Sequence, residues 1–188
     1  AAATGNQNIA VGNYALDATT SGPSNVAIGH QAGTAITSAG YSILLGTGAG
    51  AVIDTQNANI AIGYQALFRD TSSGGNVAIG HGALEDQNTA SSNNVAVGYH
   101  AALNLNGGTN SVYVGYQAGG VGVITGVSNT VIGKAAALNM TSGADSVIIG
   151  NNACGLGVVT GANNTIVGRA AGYDLTSGHS NVLLGRDA

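Results

Sequence analysis

The chain has 188 residues, of which 32 are Gly, one is Cys and none is Trp, and its formal net charge is −4. Charged residues make up 6% of the chain, against roughly 25% in an ordinary soluble domain, while hydrophobic residues reach 44%. This composition excludes a disordered chain, the total of four Lys and Arg residues makes nucleic acid a poor partner, and the single Cys excludes an intramolecular disulfide framework.

A short repeat runs along the whole chain, and its glycine recurs at every seventeenth or eighteenth position. The same glycine is found in each of eleven copies, and no linker or second domain is left between them, so residues 1–188 are predicted to form a single repeat domain. The recurring glycines are Gly12, Gly29, Gly46, Gly63, Gly80, Gly98, Gly115, Gly133, Gly150, Gly168 and Gly185.

One short β-strand is predicted before each of these glycines, from Asn8–Gly12 in the first copy to Asn181–Gly185 in the eleventh. Each segment begins with Asn or Ser and continues mostly with Val, Ile, Leu or Ala, a composition typical of a strand bounded by turn residues. The close spacing of successive strands predicts an all-β, parallel β-solenoid (a β-roll or β-helix) of eleven coils. At a rise of ~4.8 Å per coil, the rod is expected to be roughly 50 Å long.

Three columns of the repeat indicate how the coils stack. The Asn or Ser four residues before each glycine predicts an amide ladder along the rod, as in other stacked β-structures. The invariant glycine predicts a positive φ or a backbone approach too close for a Cβ atom. An Ala three residues after every glycine predicts a tight interior.

The residue two places before each glycine is predicted to face away from the core, because the β-branched residues on either side of it are assigned to the core. It is apolar in every copy, whereas a solvated strand would carry polar residues there. A homo-oligomer packed along the rod axis is therefore predicted, with its subunit interface formed by Ala61, Ala78, Ala96, Tyr113, Val131, Ile148, Ile166 and Leu183.

The motif Asn-Val-Ala-Ile-Gly-x-x-Ala at 25–32, and its variants at 59–66 and 94–101, resembles the repeat of YadA-type trimeric autotransporter heads. Gly-Tyr-Gln-Ala-Leu at 63–67 is similar to repeats in tail-fibre-like proteins of bacteriophages and in related bacterial adhesive fibres. The coil of this chain is longer than that of YadA-type heads, which favours the fibre relatives. The resemblance implies a homotrimer of parallel β-rolls, displayed outside a cell or on a virion.

The position directly after each glycine carries most of the side chains suited to binding. Aromatic faces in this column, with Gln65, His100 and Gln117 as neighbouring hydrogen-bonding groups, suit the face of a sugar ring, and the low charge favours neutral sugars. Alternatively, these side chains only cover the turn and keep the rod in solution. The predicted glycan-binding residues are Tyr64, His81, Tyr99, Tyr116, Lys134 and Arg169.

Enzymatic functions find little support in the repeat. Hexapeptide-repeat acyltransferases have coils of similar length, and 62–67 matches one of their hexapeptides, but the following hexapeptides do not match. The Asp residues are too scattered for a calcium β-roll, and the sequence around Gly133-Lys134 lacks the spacing of a phosphate loop. Cys154 is predicted to be a packed thiol. No catalytic residue, metal site or cofactor is predicted.

These observations predict a structural or adhesive segment of a longer trimeric fibre that spaces or presents a recognition surface. The alternative is a receptor-binding head that itself binds glycans on a host surface, and a less favoured one is a hexapeptide-type acyltransferase. The expected location is extracellular, on a cell surface or a virion fibre. No apolar run approaches the ~20 residues of a membrane-spanning helix, so membrane insertion is not expected.

Overall fold

A computed structural model describes residues 5–188 except 20, 72 and 88, and it contains one sheet of eleven parallel strands. The sheet follows chain order, and no helix occurs among the described residues. The predicted all-β, parallel β-solenoid is therefore confirmed, with about ten turns joining the eleven strands. The strands are β1 (Ile9–Val11), β2 (Val26–Ile28), β3 (Ile43–Leu45), β4 (Ile60–Ile62), β5 (Val77–Ile79), β6 (Val95–Val97), β7 (Val112–Val114), β8 (Thr130–Ile132), β9 (Val147–Ile149), β10 (Thr165–Val167) and β11 (Val182–Leu184).

Equivalent residues of successive coils lie directly above one another. Ala27 of β2 pairs with Ala10 on one side and with Leu44 on the other, and the same register continues through all ten strand pairs. The register is also kept in the coils that are one residue longer, where Val77 pairs with Val95. The additional residue is therefore accommodated in the loops, and each strand position forms an unbroken column along the rod.

The middle residue of each strand, and not the pair flanking it, points into the coil. Ala27 and Leu44 are fully buried within the single chain, together with the alanine three residues after the glycine, such as Ala66. The prediction that the flanking residues of each strand face the core and the middle residue faces outward is therefore wrong. The coil is so narrow that its interior admits one side chain per strand, and alternation alone does not identify the inner face of a strand that is apolar on both faces.

The predicted interface residues consequently cannot contact a second subunit through their side chains. Seven of them have no exposed surface even in the isolated chain, and the eighth, in the last coil, is partly buried against the same core. These residues are Ala61, Ala78, Ala96, Tyr113, Val131, Ile148 and Ile166, with Leu183 as the eighth.

The flanking residues of the strands instead form an outward apolar surface, here called the sheet face. It comprises the first and third residues of β1–β11, which are half-buried or exposed and are aliphatic except for Thr130 and Thr165. Ile28 in β2 is 43% exposed and Ile79 in β5 is 36% exposed, although neighbouring coils cover both sides of each of these strands.

The Asn and Ser residues that precede each strand form the predicted ladder. The backbone N–H of each donates to the side-chain oxygen of its counterpart in the preceding coil, with donor–acceptor distances of 2.8–3.3 Å in ten successive links from Asn8 to Asn181. The Asn94 amide also donates to the carbonyl oxygens of Ser91 and Gly108, both at 3.0 Å. The ladder thus satisfies backbone groups that are buried between coils.

The recurring glycine meets both conditions that the sequence predicts for it. Gly80 has a φ of +131°, and a Cβ atom added there would lie 2.5 Å from the carbonyl oxygen of Gly98 in the next coil. Gly185 in the last coil has a similar φ of +123°, but nothing lies within 4 Å of the corresponding Cβ position.

A comparison of Gly80→Ala with Gly185→Ala distinguishes the effect of the positive φ from the effect of the close backbone approach. Both variants carry the strain of a positive φ, of order 1–3 kcal/mol, but only Gly80→Ala also forces two coils apart. We expect Gly80→Ala to lower the thermal unfolding midpoint clearly more than Gly185→Ala, as measured by circular dichroism. Equal, small effects would contradict the close-approach argument.

Asn94→Ala is expected to destabilise the rod by about 2–6 kcal/mol. It leaves the backbone N–H of Ser111 and the carbonyl of Gly108 without their side-chain partner in a buried position, at ~1–3 kcal/mol for each group. Asn94→Ser is the matched variant, because Ser already occupies this column at positions such as 111 and keeps the acceptor. Chemical denaturation should rank the variants with Ser between wild type and Ala, and an Ala variant as stable as wild type would refute the role of the ladder.

Candidate binding surface

The column after the glycines lies on the outside of the rod. After each glycine the chain turns away from the sheet, and residues such as Gln65 adopt a left-handed conformation (φ 51°). The backbone N–H of Gln65 donates to the carbonyl oxygen of Thr47 in the preceding coil, so the turns stack as regularly as the strands. As a result, every coil presents one side chain at the same place, and Tyr64 and Tyr116 are each 48% exposed.

Four of the predicted binding residues are brought together in one stack, here called the ring stack. The ring centroids of Tyr64 and His81 are 4.9 Å apart, those of His81 and Tyr99 are 5.1 Å apart, and those of Tyr99 and Tyr116 are 5.3 Å apart. The last pair is nearly parallel, at 8°. These separations follow from the coil rise, which places consecutive side chains of the column at stacking distance.

His100 belongs to the same group, although the sequence indicates it only as a hydrogen-bonding neighbour. Its ring stacks on Tyr99 with centroids 4.0 Å apart, and it lies 5.3 Å from the ring of His81. The signal that could have found it is Gly82, the equivalent residue of the preceding coil. A Cβ atom at Gly82 would lie 2.5 Å from the His100 ring, so the absence of a side chain there makes room for the imidazole.

The surroundings of His100 oppose its protonation. Burial lowers its pKa from the usual 6.5, and the neighbouring His81 lowers it further, while the Glu85 carboxylate acts in the opposite direction. The Glu85 carboxylate also approaches the Gly82 backbone, where an added Cβ atom would lie 2.7 Å from its Oε2 atom. The neutral imidazole is therefore the form that fits the stack.

Stacking changes which part of each ring a ligand can reach. The faces of His81 and Tyr99 are covered by their neighbours in the stack, so mainly the ring edges and the tyrosine hydroxyl groups are presented to solvent. The predicted contact between an aromatic face and a sugar ring is available chiefly at the ends of the stack, on Tyr64 and Tyr116. Glycan binding itself stays a prediction.

Lys134 and Arg169 continue the column beyond the ring stack, and both are exposed. They are separated from each other by Asn151 and are not part of the stack. Arg186 follows in the last coil, where its Nε atom lies 3.0 Å from a carboxylate oxygen of Asp187. The column thus changes along the rod from aromatic to cationic.

Two further features, a buried thiol and a cavity, lie outside the ring stack. Cys154 is buried, and burial raises the pKa of its thiol to about 12, so the predicted packed thiol is confirmed. A cavity of about 600 Å³ at the C-terminal end is lined by Arg169, Tyr173 and two carboxylates, Asp174 and Asp187. Because the lining carries both positive and negative groups, it does not indicate whether a ligand would be an anion or a cation.

No protein-family model, curated protein or solved structure matches the chain. The fold is consistent with repetitive, fibre-like β-solenoids, and the resemblance to the two particular fibre families rests on the repeat motif alone. In the described ranges, His, Cys, Asp and Glu side chains form no group of three or more that could hold a metal ion. The same ranges contain no helix with the length and apolar character needed to cross a membrane.

The lowered pKa of His100 predicts that the rod loses stability in mild acid. Because the folded state favours the neutral imidazole, this contribution is fully present above the unfolded pKa of about 6.5 and is lost as the pH falls through the lower folded value. The fall in unfolding midpoint between pH 7.5 and pH 5.5 should be smaller in His100→Gln than in wild type. His30→Gln removes an imidazole from the column after the glycines but outside the ring stack, and serves as the control; the same pH dependence in wild type and His100→Gln would contradict the assignment.

Proposed function

We propose that the chain is a structural segment of an extracellular or virion-surface fibre, in which three parallel copies pack side by side through the sheet face. The segment spaces or presents a recognition surface and carries out no catalysis. The observation that carries the proposal is the sheet face itself, which is apolar along the full length of the sheet and is half-buried or exposed in the single chain.

The size of the sheet face supports association. Its two columns are about 7 Å apart and run through ten coil intervals of ~4.8 Å, which gives a strip of roughly 50 by 10 Å, or about 500 Å² for each copy. The largest apolar patch on a monomeric soluble protein is typically about 300–600 Å² and is often functional, and this strip is of that size. Two such strips cover about 1,000 Å² in total, which is about the smallest area expected of a specific protein interface.

The chemistry of the sheet face favours a second copy of the same chain as the occupant. The face has no charged residue and only two hydroxyl groups, those of Thr130 and Thr165, so it offers nothing to a charged partner. Its columns are straight because the register between coils is constant. A copy of this chain has the same length and the same repeat, so the two surfaces can match in register from end to end.

The two columns of the sheet face fit a trimer better than a dimer. Around a threefold axis every copy has two neighbours, and the sheet face has two columns that can each turn toward one neighbour. This arrangement agrees with the homotrimer that the resemblance to trimeric fibres implies. The loops and the column after the glycines then lie outside the shared centre, where a fibre presents its recognition surface.

Sedimentation equilibrium of the wild-type chain should give three times the chain mass. Ile79→Asp combined with Ile132→Asp should reduce this to the monomer mass, because each substitution would bury an unpaired carboxylate at the interface. The double variant Val121→Asp and Val123→Asp is the matched control, since both valines are exposed apolar residues outside the sheet face.

A second pair of variants guards against a general loss of folding. Ile79→Thr with Ile132→Thr uses a residue that already occupies the sheet face at 130 and 165, and it should weaken the trimer while the circular dichroism of the folded chain is kept. A monomeric wild type at high concentration would overturn the proposal. So would an Asp variant that is folded and keeps the mass of the trimer.

A further inference from the structure

The positive charge of this chain is concentrated on one line. Of the four Lys and Arg residues, three lie in the column after the glycines, although the chain as a whole carries a net charge of −4. Arg186 is paired with Asp187, which leaves Lys134 and Arg169 as exposed cations that form no ion pair within the described part of the chain. They are separated by two coil intervals, or about 10 Å.

The ring stack lies on the same line as Lys134 and Arg169, and its outward-facing groups also carry partial positive charge. Because its ring faces are covered, the stack presents ring edges, which carry the positive side of the aromatic quadrupole, together with the donor groups of tyrosine hydroxyls and imidazoles. From Tyr64 to Arg169 the column spans six coil intervals, roughly 29 Å. A ligand that lies along it therefore meets hydrogen-bond donors on the ring stack and then the two cations, with the carboxylate of Glu85 beside His100 and those of Asp174 and Asp187 in the cavity that Arg169 lines.

We propose that the column from Tyr64 to Arg169 binds a linear acidic polysaccharide, with Lys134 and Arg169 pairing with its anionic groups and the ring stack donating hydrogen bonds to its hydroxyl groups. The neutral sugar expected from the sequence is disfavoured, because the aromatic faces that would stack on it are covered by one another. The proposal rests on the rod of the proposed function as the scaffold that keeps the column straight.

A polysaccharide fits the column better than a nucleic acid does. The column offers one side chain every ~4.8 Å, similar to the length of one sugar unit, and two cations about 10 Å apart. Duplex DNA carries one charge per ~1.7 Å of its axis and is bound by surfaces with many more Lys and Arg residues than this chain contains. Weak contacts repeated on every copy of a trimer add up through avidity on a dense glycan layer.

Binding is tested by biolayer interferometry of the trimer on immobilised polygalacturonate, dextran and single-stranded DNA, at low and at high NaCl concentration. We expect binding to polygalacturonate that weakens at the higher salt concentration, and little binding to neutral dextran or to DNA. Lys134→Gln and Arg169→Gln should each weaken binding, and the two combined should weaken it about three- to tenfold, as expected for two exposed charge pairs.

Arg69→Gln is the control for each single variant of Lys134 and Arg169, because it removes one positive charge from an arginine that lies outside the column and is already paired with Asp86. It should bind nearly as well as wild type. Equal loss in this control, equal binding of dextran, tighter binding of DNA, or no binding of polygalacturonate would each overturn the proposal. The sedimentation mass of every variant is measured in parallel, so that a failure to assemble is distinguished from a failure to bind.

Discussion

The close contact between the backbones of successive recurring glycines is the constraint on which the other features of this rod depend. At Gly80 there is no room for a Cβ atom against the next coil, and the positive φ turns the chain sharply away from the sheet. Together these conditions keep each coil directly above the previous one, in the shorter and in the longer coils alike. Constant register then makes each sequence position a column, so that one residue type is repeated against itself along the rod.

In such a column, the favoured side chains are those that interact well with the equivalent residue of the next coil. Asn does so because its amide both accepts from the backbone of the next coil and donates to a carbonyl, as Asn94 shows. Aliphatic side chains pack on one another along the sheet face, and aromatic rings stack, as Tyr99 and Tyr116 do. The ladder, the sheet face and the ring stack are therefore three consequences of the same geometry, and they differ only in their exposure to solvent.

The sequence predicts the strands, their parallel order and the buried ladder, because these depend on spacing and on residue types that recur in every copy. It does not predict which face of the strand is inside, since Val26, Ala27 and Ile28 are all apolar and alternation has no polar reference. The volume of the coil determines which face is buried, because the narrow interior has room for only one side chain from each strand. The largest of these, Tyr113, is buried in the interior because Gly119 leaves space beside its ring. The place of His100 depends similarly on a missing side chain, at Gly82 in the preceding coil.

The same geometry explains why charge is rare in this chain and how it is arranged. Two like charges in one column of adjacent coils are ~4.8 Å apart, which costs nearly ~1 kcal/mol even in water and more near the protein surface. Lys134 and Arg169 avoid this because Asn151 lies between them. Arg186 directly follows Arg169 in the column, and there Asp187 offsets its charge. In another column Arg69 is followed by Asp86, and the two form an ion pair at 2.9 Å. The four cations of this chain are therefore either spaced along their column, as Lys134 and Arg169 are, or paired with a carboxylate, as Arg69 and Arg186 are.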